Sequence, residues 1–543
     1  MIGLSDLGED VIVWNIAPYL EASDIFSLSL TSKQFRSILT TNETYHLLYR
    51  KKFSSNPAPL SVSKYHWDQL FALRASTDAN VYTWGCNTWW RLGHDNSGES
   101  SSMQHSSFIG QSVPRLLKAF NNSIVTDISS GGFSFQFLTN NGDLYWSGQR
   151  WHMDSLSPPA PKGKDYEPPI TSRNNIRHHG NRRANLFGPP GIRQRVAHDT
   201  FIPVPQIHSE TPVNLRRPPE EQNNVLNSNP QPPLIEKENR YIGKLQLPKN
   251  AGKLVSISSG REHIIGLDTN GDIFTRDSGC PGTLGVRLQF PNVPKSTTFV
   301  SKVSAGWNLS VCHFVGFGLV AWYGRDNVTE LSYKDGSMIA NAHYVVIPGT
   351  AGHIIDFMAG EDYIIFIKSS GLLFRFDIDA RAFSEQHEER LNVDHPYQVL
   401  GFNRWLARHN EELVIHGAKF SKITGCYNNV AVFTDDSMVL IGHRGLFDSE
   451  SEPEIIPELQ KRNIRHVVMG DYHYLALTDE GDLLAWGRES QRCGCLGVGP
   501  LGTDEVVSVP RLVEPPRPNG RWLAVTAAGW HSGGIFIEVD ENK

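Results

Sequence analysis

The sequence predicts a mainly β protein, a seven-bladed β-propeller preceded by a small all-α domain. Three observations carry the prediction. A short apolar run, a turn and a second apolar strand recur along the chain: Gly470-Asp-Tyr-His-Tyr-Leu-Ala-Leu-Thr-Asp-Glu followed by Gly481-Asp-Leu-Leu-Ala-Trp-Gly487, with further copies starting at Gly131 and Gly260 and weaker ones at Gly306, Gly360, Gly425 and Gly529. These glycines are separated by 129, 46, 54, 65, 45 and 59 residues, a period that suits four-stranded blades. Finally, Val81-Tyr-Thr-Trp-Gly85 reads as a second hairpin strand with no first, while the copy at Gly529 has a first strand with no second. Two such orphans are what a ring needs if both chain regions share one blade, because closure removes the open strand edges.

Composition agrees. About 470 of the 543 residues fall in the repeat region, too many for one conventional core but natural for a ring of sheets. The 47 glycines serve turns and the 13 tryptophans supply wide packing between sheets. A net charge of -6 carries no signature of polyanion binding, so no nucleic-acid partner is expected. Six cysteines (Cys86, Cys280, Cys312, Cys426, Cys493, Cys495) do not form a disulfide pattern in so long a chain, and several read as small apolar strand residues. No apolar run is long enough to span a membrane, and residues 1–25 are acidic rather than basic. The expected location is the cytoplasm, the nucleus or both, with no membrane partner.

Residues 1–55 follow a helical period. Ile12, Ile16 and Leu20 make a first short helix, Ser23-Asp24 cap a second carrying Ile25, Leu28 and Leu30, and Thr31-Ser-Lys-Gln34 reads as a capping box before Phe35, Ile38 and Leu39. Asn42 is the expected cap of a fourth helix with Tyr45, Leu48, Tyr49 and Phe53 on one face. So small a core leaves part of its apolar surface for a partner or for the propeller. Tyr65-His-Trp67 and Leu70-Phe-Ala-Leu73 predict a linking helix within 56–76, and 77–543 form the propeller.

The run from Leu7 through Ile12, Ile16, Leu20, Asp24-Ile25, Leu28 and Phe35-Arg36 resembles an F-box. Gly8 stands where that family prefers Pro, and Phe35 where it prefers Trp. The resemblance implies binding of a Skp-type adaptor through Leu7, Ile12, Ile16, Leu20, Ile25, Leu28 and Phe35, with Phe35 anchoring the core and the other six presenting an aliphatic surface. The repeats resemble the RCC1 family: Gly481-Asp-Leu-Leu-Ala-Trp-Gly487 with Leu496-Gly, Trp84-Gly85 with Leu92-Gly93-His94, and Leu284-Gly285 after Gly271-Asp272. That family's turn histidine is present at His263 and His473, whereas Ser134, Leu309, Tyr363, Asn428 and Ser532 take its place elsewhere. Together the resemblances imply an RCC1-like seven-bladed β-propeller behind an F-box, the arrangement of a fungal substrate receptor in a cullin-based ubiquitin ligase. They imply as partners the adaptor, a cullin scaffold with its RING subunit, and an unnamed protein client. The rival implication is guanine-nucleotide exchange on a small GTPase, and a third is a scaffold outside any ligase.

Residues 151–250 interrupt the repeat. They hold 16 of the 32 prolines and 14 Lys/Arg against nine Asp/Glu, so they bury little; they read either as a tolerated insertion or as a clamp for a client. Phe201-Ile-Pro-Val204 and Tyr241-Ile242 inside them are apolar enough to pair with a blade. Glu99 to Ser107 reads as a polar loop. No metalloprotease, phosphate-loop or nucleophile-elbow motif is present, so no catalytic residue and no cofactor is expected. Cys493-Gly-Cys495 has no second cysteine pair nearby in sequence and reads as a turn, with no metal. Asp435-Asp436 and Glu411-Glu412 are placed in hairpin turns.

One to three places after the marker glycines the chain repeatedly offers an aromatic: Phe133, Trp307, Tyr363, Tyr427, Tyr472 and Trp530. Rotation relates the blades, so such residues form a ring at one height. They either pack between blades or, with Arg261, Glu262, Glu361, Asp362, Asp471 and His531, rim the shaft mouth and bind a protein client.

Overall fold

The computed structural model describes residues 7–17, 20, 22–53, 67–94, 110–148, 241–248, 250–277, 285–294, 299–323, 328–334, 337–378, 395–412, 417–447, 451–460, 462–490, 492–501 and 505–539. The expected polar loop at 99–107, Phe201 to Val204 and most of the proline-rich stretch lie outside them.

Seven sheets, antiparallel except for one strand pair in the second, make the ring. The innermost strand of each blade ends just before a marker glycine or carries it, and the second strand begins just after: Val125–Ser130 and Ser134–Thr139 in the first blade, Ile464–Met469 and His473–Thr478 in the sixth. In the seventh, Gly520–Ala528 pairs with His531–Glu538, which then pairs with Asn80–Cys86 from the start of the chain, and Gly110–Leu116 forms the outer edge. The two orphan strands therefore meet in one sheet. Ile242–Lys244 is the fourth strand of the first blade, pairing with Leu144–Gly148, so the end of the proline-rich stretch returns to the fold. Between the third and fourth strands of the third blade, the hairpin Val328–Lys334 and Ser337–Ala342 crosses to the second blade and lies parallel to Val286–Gln289, extending that sheet to six strands.

The marker glycines are explained by close approach. A side chain on Gly306 would strike the Gly360 carbonyl, and one on Gly260 would strike the His263 ring and the Gly306 carbonyl. That closeness lets successive blades bond backbone to backbone around one end of the shaft: Gly132 N to Gly260 O (3.3 Å), Arg261 N to Trp307 O (3.0 Å), Trp307 N to Gly360 O (3.2 Å), Glu361 N to Tyr427 O (3.1 Å) and Asp471 N to Gly529 O (2.9 Å). Two turn histidines bond one blade to the next, with His263 Nε2 2.9 Å from Ser310 Oγ and His473 Nε2 2.8 Å from Ser532 Oγ.

The amino-terminal segment departs from its predicted detail. The first helix is a single turn, Glu9–Val11, running into π-helical Ile12–Ile16. The second, Ala22–Ser29, starts ahead of Ser23, so Ser23 and Asp24 sit in its first turn rather than capping it. Ser32, not Thr31, caps helix Lys33–Leu39 by accepting from Phe35 N, while the Thr31 hydroxyl donates to Leu28 O and closes the helix before it. Thr41, not Asn42, caps Asn42–Lys52. Asn42 instead accepts from Trp67 N and ties that helix to Trp67–Arg74. A further helix, Leu400–Glu412, lies between the fourth and fifth blades and packs Phe402, Trp405 and Leu406 into their shared core. Glu411-Glu412 end this helix and are not in a hairpin turn. Among the described residues no helix is long and apolar enough to cross a membrane.

Candidate functional site

Every inner strand carries a bulge, breaking register at Val125/Asp127, Leu254/Ser256, Val300/Lys302, Ile354/Asp356, Phe420/Lys422, Ile464/His466 and Trp522/Ala524. The repeated kink twists each strand alike and brings the residue after it to one level around the axis. There Asp127, Ser256, Lys302, Asp356, Lys422 and His466 line a cavity of about 190 Å³. Lys302 Nζ bonds Asp356 Oδ1 (2.5 Å) and Phe357 O (2.7 Å), the other Asp356 oxygen accepts from Ile423 N (2.8 Å), and Lys422 Nζ reaches Arg465 O (2.7 Å). Burial, reinforced by Lys302 and Arg465, lowers the Lys422 ammonium to about 7. Burial also holds His466 neutral, well below the usual histidine range. This belt knits the third to sixth blades. The sequence signal was a polar residue four places before the marker glycine in five blades, Asp127, Ser256, Lys302, Asp356 and His466, and three places before it at Lys422.

At the glycine end the shaft is plugged. Tyr427, at φ +55°, reaches from the fifth blade across the axis toward Gly132 of the first. Its ring meets Trp307 edge-on at 4.4 Å. Arg261 lies over Trp307 (4.2 Å) and Phe133 (5.5 Å), and Arg91 over the same Phe133 (5.4 Å). Burial raises the Asp471 carboxyl, with His473, Arg261 and Arg91 opposing. Phe133, Arg261, Trp307 and Tyr427 thus come together in a plug rather than an open rim.

Tyr363, His531, Tyr472 and Trp530 do not join the plug. Tyr363 is wholly buried between the fourth and fifth blades against Phe447 and Arg444, and His531 is wholly buried between the seventh and first against Phe135. For these two the structure corrects the rim placement: a residue on the second strand faces the neighbouring blade, not the axis. Tyr472 is 40% exposed, and Trp530 is half-buried beside a group of cysteines.

At the opposite end the helices cover the shaft. Arg74 gives Nη1 to Val125 O (2.6 Å) and Nη2 to Thr126 O (3.0 Å), and Tyr49 lines a small pocket together with Arg465 and His466. Within the helices, Ile12, Ile25 and Phe35 are closed inside the core, with Leu7, Ile16, Leu20 and Leu28 packed against it. Ile12 and Ile25 therefore do not present a surface. Among the described residues of the segment, the large apolar side chains most exposed are Phe26 (64%) and Leu30 (66%), one helical turn apart, with Val11 (40%) on the first helix.

The class this geometry defines is a seven-bladed propeller of the RCC1 type with a helical amino-terminal segment. The repeat described as "Regulator of chromosome condensation (RCC1) repeat" matches residues 78–134 and 464–495, and the fold is that of Prp20p from Saccharomyces cerevisiae (TM-score 0.51, 10% identity, 92% of this chain and 95% of that one). The chain is homologous to SCF-associated factor 1 of S. cerevisiae, 26% identical across 97% of both proteins. It is likewise homologous to F-box protein pof9 of Schizosaccharomyces pombe, 24% identical over 54% of this chain and 60% of the relative.

Proposed function

We propose that this chain is the substrate-recognition subunit of an SCF-type ubiquitin ligase: its helices hold a Skp-type adaptor, through it a cullin and RING subunit, and its propeller holds a protein client. The names of its two fungal relatives support membership of such a complex. One structural observation supports the division of labour. The carboxyl end of the helical segment is locked to the propeller by Arg74, while Phe26 on its second helix and Leu30 just after it remain uncovered. Burying two such side chains is worth roughly 1.5–3 kcal/mol each, enough to anchor a partner. The chain itself needs no nucleophile, since ubiquitin transfer belongs to the associated enzymes. The client surface is the plugged mouth, where half-buried Arg261, Phe133 and Trp307 and exposed Tyr472 put rigid aromatics beside charge.

Co-purification from cells tests the reading. The Phe26→Asp, Leu30→Asp double variant should stay folded and lose the adaptor, because each change sets a charge into an apolar contact. Retention of the adaptor by a chain lacking residues 1–55 sinks the proposal. Arg261→Ala with Tyr472→Ala should keep the adaptor and lose client ubiquitination. A nucleotide-release assay on the purified chain addresses exchange activity, and clear acceleration of release would favour that rival.

A further inference from the structure

We propose that Cys86, Cys493, Cys495 and Glu489 form a binding site for one thiophilic cation, Zn²⁺, that staples the seam where the propeller closes. Cys493-Gly-Cys495 is a turn, as its sequence indicates, but folding brings a third thiol to it from some 400 residues away. Cys86 sits on the closing strand, and all three cysteines are wholly buried in one cluster with Trp530 beside them. The ligand atoms of Glu489, Cys493 and Cys495 lie within 4.8 Å of one another. Cys86 packs in the same buried cluster, its thiol 3.2 Å from Thr88 Oγ1. Both ends grip the seventh blade at one atom, since Cys86 N and Cys493 Sγ approach Trp530 O at 2.8 and 3.3 Å.

The turn alone does not call for this chemistry. In the seventh blade, the matching position after Trp84-Gly85 is Asn87, whose amide organises the equivalent turn by accepting from Leu92 N (3.0 Å) and donating to His94 O (3.2 Å). After Trp486-Gly487 the place is taken by Glu489. Its Oε1 accepts from Gly494 N (2.7 Å) and Cys495 N (2.8 Å), while Oε2 has only a 3.4 Å contact with Leu496 N. A neutral amide suffices for the turn, so a buried carboxylate among three thiols exceeds what local geometry requires. His473 borders the site without entering it: Nε2 is held by Ser532, whose hydroxyl donates to Cys495 O (2.9 Å), and Nδ1 lies against Gly470. Three sulfurs with one oxygen or nitrogen are a Zn²⁺ ligand set, whereas Mg²⁺ and Ca²⁺ require oxygen shells. Binding displaces the thiol protons to solvent as the sulfurs become thiolate ligands. A single ion would then join the closing strand of the seventh blade to the sixth blade.

The full chain, purified without added metal, is assayed for zinc by elemental analysis, then stripped with chelator and titrated with Co²⁺. The expected result is one ion per chain, a thiolate-to-cobalt charge-transfer band with tetrahedral visible bands, and loss of both on adding one equivalent of Zn²⁺. Cys493→Ser and Cys495→Ser should abolish the band, Glu489→Gln should weaken affinity by about 10–100-fold, and Cys312→Ser should change nothing. A folded chain that purifies without stoichiometric zinc and shows no thiolate band with Co²⁺ overturns the proposal, as does full binding in the Cys493→Ser, Cys495→Ser double variant. Should those variants fail to fold, the wild-type zinc content and cobalt spectrum decide.

Discussion

Gly306 and Gly271 put the same residue type to different uses. Gly271 has φ +78° and open space where a side chain would project, so Gly271→Ala should cost only about 1 kcal/mol of backbone strain. Gly306 has no room, because the Gly360 backbone passes against it at the ring of interblade bonds. Gly306→Ala should cost at least about 2 kcal/mol, and equal denaturant midpoints for the two variants would refute this account of the markers. His263 makes a second residue-scale case. Burial lowers its imidazole from 6.5 to about 4, so between those values the unfolded chain binds a proton that the folded one refuses. Stability is therefore intact above pH 6.5 and declines as pH falls toward 4, by about 3 kcal/mol from this group. His263→Gln should flatten that part of the stability–pH curve, and an unchanged slope would show that His263 is not its source.

Among the elements, the amino-terminal helices depend on caps that sit one residue from the places sequence favours. Ser32 supplies the cap at Phe35 N, so Ser32→Ala should lower stability by about 1 kcal/mol, whereas Thr31→Ala acts on the preceding helix. Phe26 and Leu30 project outward from an otherwise inward-packed pair of helices. Their replacement by Asp should leave the melting transition of the isolated chain within about 0.5 kcal/mol of wild type, while Ile12→Asp should unfold the segment. Calorimetry of the three variants separates a docking surface from a core.

For the whole molecule, Arg74 is the coupling between helices and ring. It donates to two carbonyls of the first inner strand and its guanidinium lies 5.3 Å from the Phe53 ring. Arg74→Met keeps the stem but leaves both carbonyls without this donor, a loss of roughly 2–3 kcal/mol. The helical segment should then melt in its own, earlier transition, and a single unaltered transition would show that the contact does not join the two parts. Closure of the ring is a separate matter, resting on the antiparallel register of Asn80–Cys86 with His531–Glu538.

By itself the sequence determined the number of blades, the shared closing blade, the helical segment and the resemblance that points to a ligase receptor. These follow from local patterns: a glycine at each close approach, two strands after it, and a missing partner strand at either end. Only the tertiary structure decided which residues face the axis and which face a neighbour. Tyr363 and Tyr427 occupy similar places after their glycines, yet Tyr363 enters an interblade core while Tyr427, in a left-handed turn, crosses the shaft. The belt of Asp127, Lys302, Asp356, Lys422 and His466 needed a bulge common to all seven inner strands, which alternation alone does not reveal. Ile12, expected on the surface, is closed into the helical core, while Phe26, for which the sequence pattern gave no role, is exposed. Cys86 met Cys493 and Cys495 because the ring closes, and no spacing along the chain records a contact that closure creates.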